Sequence, residues 1–515
     1  MNIECGEGVL YVYDGLPNFV SRNSRWNREN HIVGALCTSQ ASYPVTVQAV
    51  SGLMTVFYEK NDPGQGFNAS YEIASSLSHL TTVLPRMGHS LIVDHRGSLW
   101  VFGGYSLSRG PLYDIQQFDT HNNSNVWQQV TVNVQPGRQP PPGRYFHAAA
   151  YVPNQREMYV YGGLNQTSFL KDLWKFNIDS ESWKELKPHP DLPRLAGHSL
   201  TYCSEAESQS LVLIGGASSD YGFLERVWEY NLTSGKWNSV QTSGVIPVGI
   251  YGHSTVYHGG TKTFYVYGGY SFKIDKVDHF PDLYALDYTR KKWSVLPPDR
   301  GTNHNPASLP APRTFHSAVT TRDYMVLIGG DITDHRDSKQ GLLVYSYKCN
   351  MWFPLNDKFI TLVGHEITPH IGTSAAVYGS TIYVFGGYFG TLQGSMVEIK
   401  IPPDLCTLNA NLTQCRDVIG CANCVIHDSS GTNTSYCYSN TREEPSTCQN
   451  APHGKSSVVG VRCDAKLLED DDCYQLTSYI HPTWRKLPHP AMPKEQREAG
   501  TTSHYAAWVA LAAAF

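Results

Sequence analysis

Five histidines recur at one place in a repeated pattern: Arg86-Met87-Gly88-His89-Ser90, Tyr145-Phe146-His147-Ala148, Gly197-His198-Ser199, Gly252-His253-Ser254 and Phe315-His316-Ser317. Histidine can hold a metal or move a proton near neutral pH. A metal site would need paired spacing such as His-Glu-X-X-His, and these histidines come singly. Their regularity predicts scaffold roles instead. No Gly-X-Ser-X-Gly elbow occurs in the chain, which removes the serine-hydrolase arrangement. Net charge is −5 and long basic runs are missing, which argues against nucleic acid.

The elements that carry these histidines are marked by a Gly-Gly doublet. It follows a short apolar run six times: Val101-Phe102-Gly103-Gly104, Val160-Tyr161-Gly162-Gly163, Leu213-Ile214-Gly215-Gly216, Val266-Tyr267-Gly268-Gly269, Leu327-Ile328-Gly329-Gly330 and Val384-Phe385-Gly386-Gly387. The first glycines recur 53 to 61 residues apart, and such a period marks a repeat array. Each unit reads as four short strands: the histidine strand, the apolar strand ending in Gly-Gly, a third strand such as Lys171-Asp172-Leu173-Trp174 or Pro281-Asp282-Leu283-Tyr284, and one bearing Trp127, Trp183, Trp237, Trp293 or Trp352. Four strands per unit with turns between predict a propeller blade. Glycine admits close backbone approach near a crowded axis, and tryptophan fills the gap between blades.

These residues resemble the kelch repeat, and six copies predict an all-β, six-bladed propeller over residues 75–402. The sixth copy departs, with Gly372-Thr373-Ser374 in the histidine slot and no tryptophan at the expected distance. Closure of that blade by Ile73–Val83, from the other end of the array, is the expectation. Ahead of the ring, Tyr11-Val12-Tyr13-Asp14-Gly15, Cys37, Leu53-Met54-Thr55-Val56-Phe57 and Gly66-Phe67-Asn68-Ala69-Ser70-Tyr71 resemble part of a CUB β-sandwich over residues 1–74. The resemblance implies a Cys5–Cys37 disulfide.

Twelve cysteines are present, and eight lie between Cys406 and Cys473. Such density predicts a disulfide framework and an oxidising compartment. Cys406, Cys415, Cys421, Cys424, Cys437 and Cys448 resemble a PSI module within residues 403–475. Cys463 and Cys473 join the same expected framework. Pairing among eight cysteines is not readable from spacing. Asn-X-Ser/Thr sequons at Asn68, Asn122, Asn165, Asn231, Asn411 and Asn433 support the same address and are expected glycosylation sites.

CUB, six kelch units and PSI-like cysteines in this order resemble the attractin family, across roughly Cys5 to Tyr474. The resemblance implies a non-enzymatic extracellular or cell-surface recognition module in cell–cell contact and receptor signalling, with neither cofactor nor metal. Residues 476–515 carry no family likeness and are expected to form a divergent, poorly ordered tail. Residues 1–20 lack a signal-peptide pattern, so a leader is expected upstream. Ala506–Phe515 is far shorter than the ~20 residues of a spanning helix, so no membrane span is expected in this chain, although related proteins are membrane-anchored.

Strand parity sends Tyr270–Pro281, Asp331–Gly341, Asn133–Arg144 and Pro297–Arg313 to one face of the ring. Lys273, Asp275, Lys276, Asp278, His279 and Phe280, with His335, Arg336 and Asp337, are the candidate residues for a protein ligand or co-receptor. Two alternatives stand beside this reading. A kelch scaffold can carry a copper-radical oxidase, for which Cys203 and Cys349 are the only propeller cysteines. An intracellular kelch adaptor is the other, although a helical partner domain ahead of the ring is not evident.

Overall fold

The computed structural model describes residues 8–14, 32–36 and 54–60, then 83–400 with internal breaks, then 404–408, 421–427, 433–439 and 455–459. The breaks fall at 122–125, 135–138, 205–207, 274–275, 280–281, 297–309, 333–340, 348–349, 355–360 and 364–369. The cysteines at 5, 37, 349, 415, 448, 463 and 473, and the tail 476–515, lie outside the described residues.

Residues 83–400 form six antiparallel sheets. Blade 1 holds Ser90–Val93, Leu99–Phe102, Ile115–Phe118 and Trp127–Gln129. Blade 2 holds Ala148–Val152, Glu157–Tyr161, Leu173–Asn177 and Ser182–Leu186. Blade 3 holds Ser199–Ser204, Gln209–Ile214, Val227–Asn231 and Lys236–Val240. Blade 4 holds Ser254–His258, Thr263–Tyr267, Leu283–Asp287 and Lys292–Leu296. Blade 5 holds Ser317–Thr320, Tyr324–Ile328, Leu342–Ser346 and Met351–Pro354. Second strands are buried from end to end, as in Glu157–Tyr161 and Thr263–Tyr267, because each has a neighbouring blade on both faces.

Tryptophans fill the gaps in a consistent sense. Each reaches the residue before the Gly-Gly doublet of the preceding blade: Trp183 on Phe102 at 4.9 Å, Trp237 on Tyr161 at 5.7 Å, Trp352 on Tyr267 at 5.2 Å. Trp127 of blade 1 meets Phe385 of blade 6 at 4.9 Å, so the circle closes. The interface between blades 5 and 6 uses an aliphatic set instead, with Ile328, Val344, Val384 and Ile399 buried together. Ile328 stands where blades 1, 2, 4 and 6 offer an aromatic ring; Ile214 holds the same place in blade 3 and packs with Trp293.

The sixth blade corrects the expected closure. Its sheet holds Ser374–Tyr378, Thr381–Phe385 and Met396–Lys400, and its fourth strand is Thr361–Val363, antiparallel to the third. The outer place assigned to Ile73–Val83 is thus taken by the segment leaving blade 5. Residues 73–82 lie outside the described residues, and Val83 is buried in the core between blades 6 and 1.

Linkers from odd blades also cover the outer edges of the even blades that follow. Asn133 pairs in parallel with Ser182, and Ser243–Gly244 pairs in parallel with Lys292–Trp293. An outer strand edge left open invites pairing with other chains, and these segments occupy it.

Two further sheets flank the ring. Gly8–Asp14 lies between Ile32–Leu36 and Met54–Lys60. Cys421–His427 lies between Asn433–Ser439 and Lys455–Val459, and Cys406 is bonded to Cys421. Cys424 and Cys437 are disulfide-bonded as well.

Candidate functional site

Six residues circle the axis: Gly88, Phe146, Gly197, Gly252, Phe315 and Gly372. Each amide donates to the carbonyl of its neighbour in the preceding blade, at 2.7 to 2.9 Å, and Gly88 closes the circuit by donating to Gly372. All six adopt φ between 50° and 70°. That left-handed geometry costs an ordinary side chain about 1–2 kcal/mol, which is why glycine holds four of the places. At Gly197 a Cβ would stand 2.4 Å from the Tyr251 ring, so glycine is required there by space as well. The two phenylalanines come from opposite blades, and their rings meet at 4.6 Å. The axis is plugged by an aromatic pair.

Next to this circuit come the histidines, all buried. His147 Nε2 stands 3.0 Å from Ser90 Oγ, His253 Nε2 3.1 Å from Ser199 Oγ, and His316 Nε2 2.7 Å from Ser254 Oγ. Each bond reaches back to the preceding blade. Burial pushes His89, His198 and His253 down to about 3, and His147 and His316 well below the usual range. Neutral imidazoles locked into blade interfaces act as packing and hydrogen-bonding groups. Among the described residues, no three His, Cys, Asp or Glu side chains gather in a metal-holding group.

Sequence reasoning missed a second repeated device. Arg86 and Arg144, fully buried, each make a two-pronged contact with an aspartate 28 residues on. Arg86 reaches Asp114 at 2.8 and 2.9 Å, and Arg144 reaches Asp172 at 2.7 and 2.8 Å. Both also donate to the first glycine carbonyl of the doublet, Gly103 or Gly162, at 2.9 Å. Arg313 makes the corresponding bond to Gly329 at 3.2 Å. The signal was present: Arg precedes His by three residues in these blades, and Asp precedes the third strand. Paired arginine holds both carboxyls below the ordinary range although burial opposes this.

The face where blades are entered differs from the other. It carries Tyr105–Ser106 with Gly110–Pro111, Ala217–Ser218 with Gly222–Phe223, Tyr270–Lys273 with Lys276–His279, and Tyr388–Phe389 with Thr391–Leu392. Residues preceding the axial circuit bridge to these hairpins, as Tyr145 does to Leu164 and Tyr251 to Tyr270. The result is an aromatic mouth: Tyr105 meets Tyr145 at 5.2 Å, Tyr251 meets both Tyr270 at 5.3 Å and Phe315 at 5.2 Å, and Phe223 lies 6.5 Å from Tyr270. Around it Tyr221 is 76% exposed, Tyr113 66% and Val248 52%. The opposite face carries charge, with Asp179 held between Arg96 at 2.8 Å and Arg156 at 3.0 Å.

The sequence-predicted loop residues fall on the hairpin face where they are described. Lys273 and Lys276 pair at the tip of the blade 4 hairpin, Asp278 lies opposite Ser271, and His279 lies opposite Tyr270. The segment expected as a loop is therefore a strand ribbon rooted beside Tyr251. Asp275, Phe280, His335, Arg336 and Asp337 lie outside the described residues. Of the sequons, Asn165 sits on the hairpin face and Asn231 ends a third strand at the opposite one. Asn433 starts a strand of the cysteine-rich sheet. Asn68, Asn122 and Asn411 lie outside the described residues.

A closed ring with Gly-Gly seams and inter-blade tryptophans is a kelch-type β-propeller. A family model for the attractin/LZTR1 β-propeller matches residues 99–397. The chain is 34% identical over 344 residues to multiple epidermal growth factor-like domains protein 8 of Mus musculus, covering 66% of this chain and 12% of that protein. It is 30% identical over 394 residues to the Homo sapiens protein of the same name, covering 66% and 14%. It is 26% identical over 270 residues to a leucine-zipper-like transcriptional regulator 1 homolog of Drosophila melanogaster, covering 49% and 25%. The chain belongs to the attractin/LZTR1 β-propeller family, and it spans 12% of the length of the first of these relatives.

Proposed function

We propose that the chain is a non-catalytic recognition module of an attractin-like receptor or shed protein, acting outside the cell in cell–cell contact and in modulation of receptor signalling. The observation that carries this reading is the set of exposed Tyr221, Tyr113 and Val248 on the hairpin face, together with the aromatic mouth of Phe223, Tyr251 and Tyr270. Aromatic residues on a rigid frame supply much contact area at small entropic cost, and interface hot spots are rich in them. Beside the Phe146–Phe315 pair the axial cavity holds about 120 Å³, below the roughly 300–1,000 Å³ usual for a small-molecule site. Disulfide bonds at Cys406, Cys421, Cys424 and Cys437 support an oxidising compartment. The flanking sheets fit the CUB-like and PSI-like pieces that such a receptor carries.

Two measurements test this. Tyr221→Ser and Lys276→Ala should lower binding of the purified chain to cell surfaces several-fold while leaving its melting temperature unchanged; undiminished binding counts against the hairpin face. Mass mapping of the natively expressed protein without reductant should find Cys406 and Cys421 joined. Free thiols there would favour the intracellular adaptor.

A further inference from the structure

A cavity of about 470 Å³ lies at the rim between blades 1 and 2, under the linker that joins them. Val134 and Pro140 of the linker form one wall, and Asp172, Trp174, Trp183 and Glu185 form the other. The two indoles stand 6.4 Å apart with planes at 89°. Their placement follows from register. Trp174 pairs with Glu185 across the third and fourth strands, and Trp183 lies two residues before Glu185, so all three share one face of the sheet.

The two carboxylates differ. Asp172 is committed to Arg144 and to the Trp174 indole N–H at 2.5 Å. Glu185 is exposed and makes no ion pair among the described residues. The Trp183 indole N–H is buried and has no hydrogen-bond partner among the described residues. Crossed π faces attract cations, and an uncommitted carboxylate at their edge adds charge complementarity. Asp172 immediately precedes its strand at the hairpin end of the blade, so the cavity borders the hairpin face.

We propose that this cavity receives a basic side chain, lysine or arginine, presented by the protein partner. The proposal rests on the reading of the hairpin face as a protein-binding surface. It adds the chemistry that the partner must bring.

The test uses the full chain labelled with 5-fluorotryptophan and followed by fluorine NMR, with resonances assigned through Trp174→Phe and Trp183→Phe. The probes are the capped tripeptides Gly-Arg-Gly, Gly-Lys-Gly and Gly-Gln-Gly. The basic peptides should shift the Trp174 and Trp183 signals saturably, and the glutamine peptide should bind about tenfold more weakly. Glu185→Gln should weaken the basic peptides by a similar factor with no change in melting temperature. Equal binding of all three peptides, no loss in Glu185→Gln, or no saturable shift up to about 10 mM of either basic peptide overturns the proposal. Undiminished partner binding in Tyr221→Ser, on blade 3, counts against the hairpin-face reading and leaves the peptide titrations unchanged, so failure of that reading and failure of this proposal are distinguishable.

Discussion

Single residues decide how firmly each blade is pinned. Arg144 is fully buried and its charge is answered by Asp172. Asp172→Ala strands that guanidinium, and breaking a buried pair from one side costs about 3–5 kcal/mol. The expected result is a large fall in melting temperature, with much of it recovered when Arg144→Met is added. Equal stability of Asp172→Ala and wild type would show the pair to be idle. Glycines make a second contrast. Gly110 has φ 72° and nothing near its missing Cβ, so Gly110→Ala should cost only the conformational penalty of about 1 kcal/mol. Gly197→Ala also drives a methyl into Tyr251 and should cost clearly more by the same denaturation measurement. The doublets were legible because close approach leaves a mark that only one residue type can satisfy. The Arg–Asp clamps were less legible, since surface arginines and aspartates look the same in a sequence.

At the scale of the element, the inner strands carry the pH response. Five buried histidines stay neutral in the fold, with His89, His198 and His253 pushed down to about 3. The unfolded chain takes up protons near the ordinary value of about 6.5, so stability is full above that pH and is lost as pH falls toward 3. At pH 5 each of His89, His198 and His253 costs about 2 kcal/mol, on the order of 6 kcal/mol together, and His147 and His316 act in the same direction. Urea midpoints measured from pH 7.5 to 4.5 should fall steeply, and a flat profile would contradict the buried neutral state. Asp114 and Asp172, held low by arginine, add a further loss below about pH 4. The four-strand blade was readable from Gly-Gly, tryptophan and histidine spacing. The hairpin of Tyr270–Lys273 with Lys276–His279 was not, because its mixed charged and aromatic residues lack strand alternation and pair only because the ring brings their roots together.

For the whole molecule, closure is the property that matters. The amide circuit from Gly88 through Gly372 ties blade 1 to blade 6 with the same bond that ties every other neighbour. Ser374 Oγ adds a bond to His89 O at 2.5 Å across that seam. Hydrogen exchange should therefore find the six circuit amides opening together, at the rate of global unfolding. Early exchange at Gly88 or Gly372 would reveal a weak seam. The number of blades was evident from the repeat, whereas the closing strand was not. Thr361–Val363 carries no repeat signature, and only the geometry of the ring makes it the available partner for Met396–Lys400.

Tyr221 and Tyr378 offer the most direct test of the claim that one face of this ring meets a protein. Both are exposed tyrosines, the first at 76% on the hairpin face and the second at 37% on the opposite one. A photo-crosslinking phenylalanine analogue placed at either position, in the full chain bound to intact cells, reports which face is occupied. Adducts to a discrete partner from position 221 and none from position 378 is the result this account predicts. Equal adducts from both, or adducts from 378 alone, would contradict it.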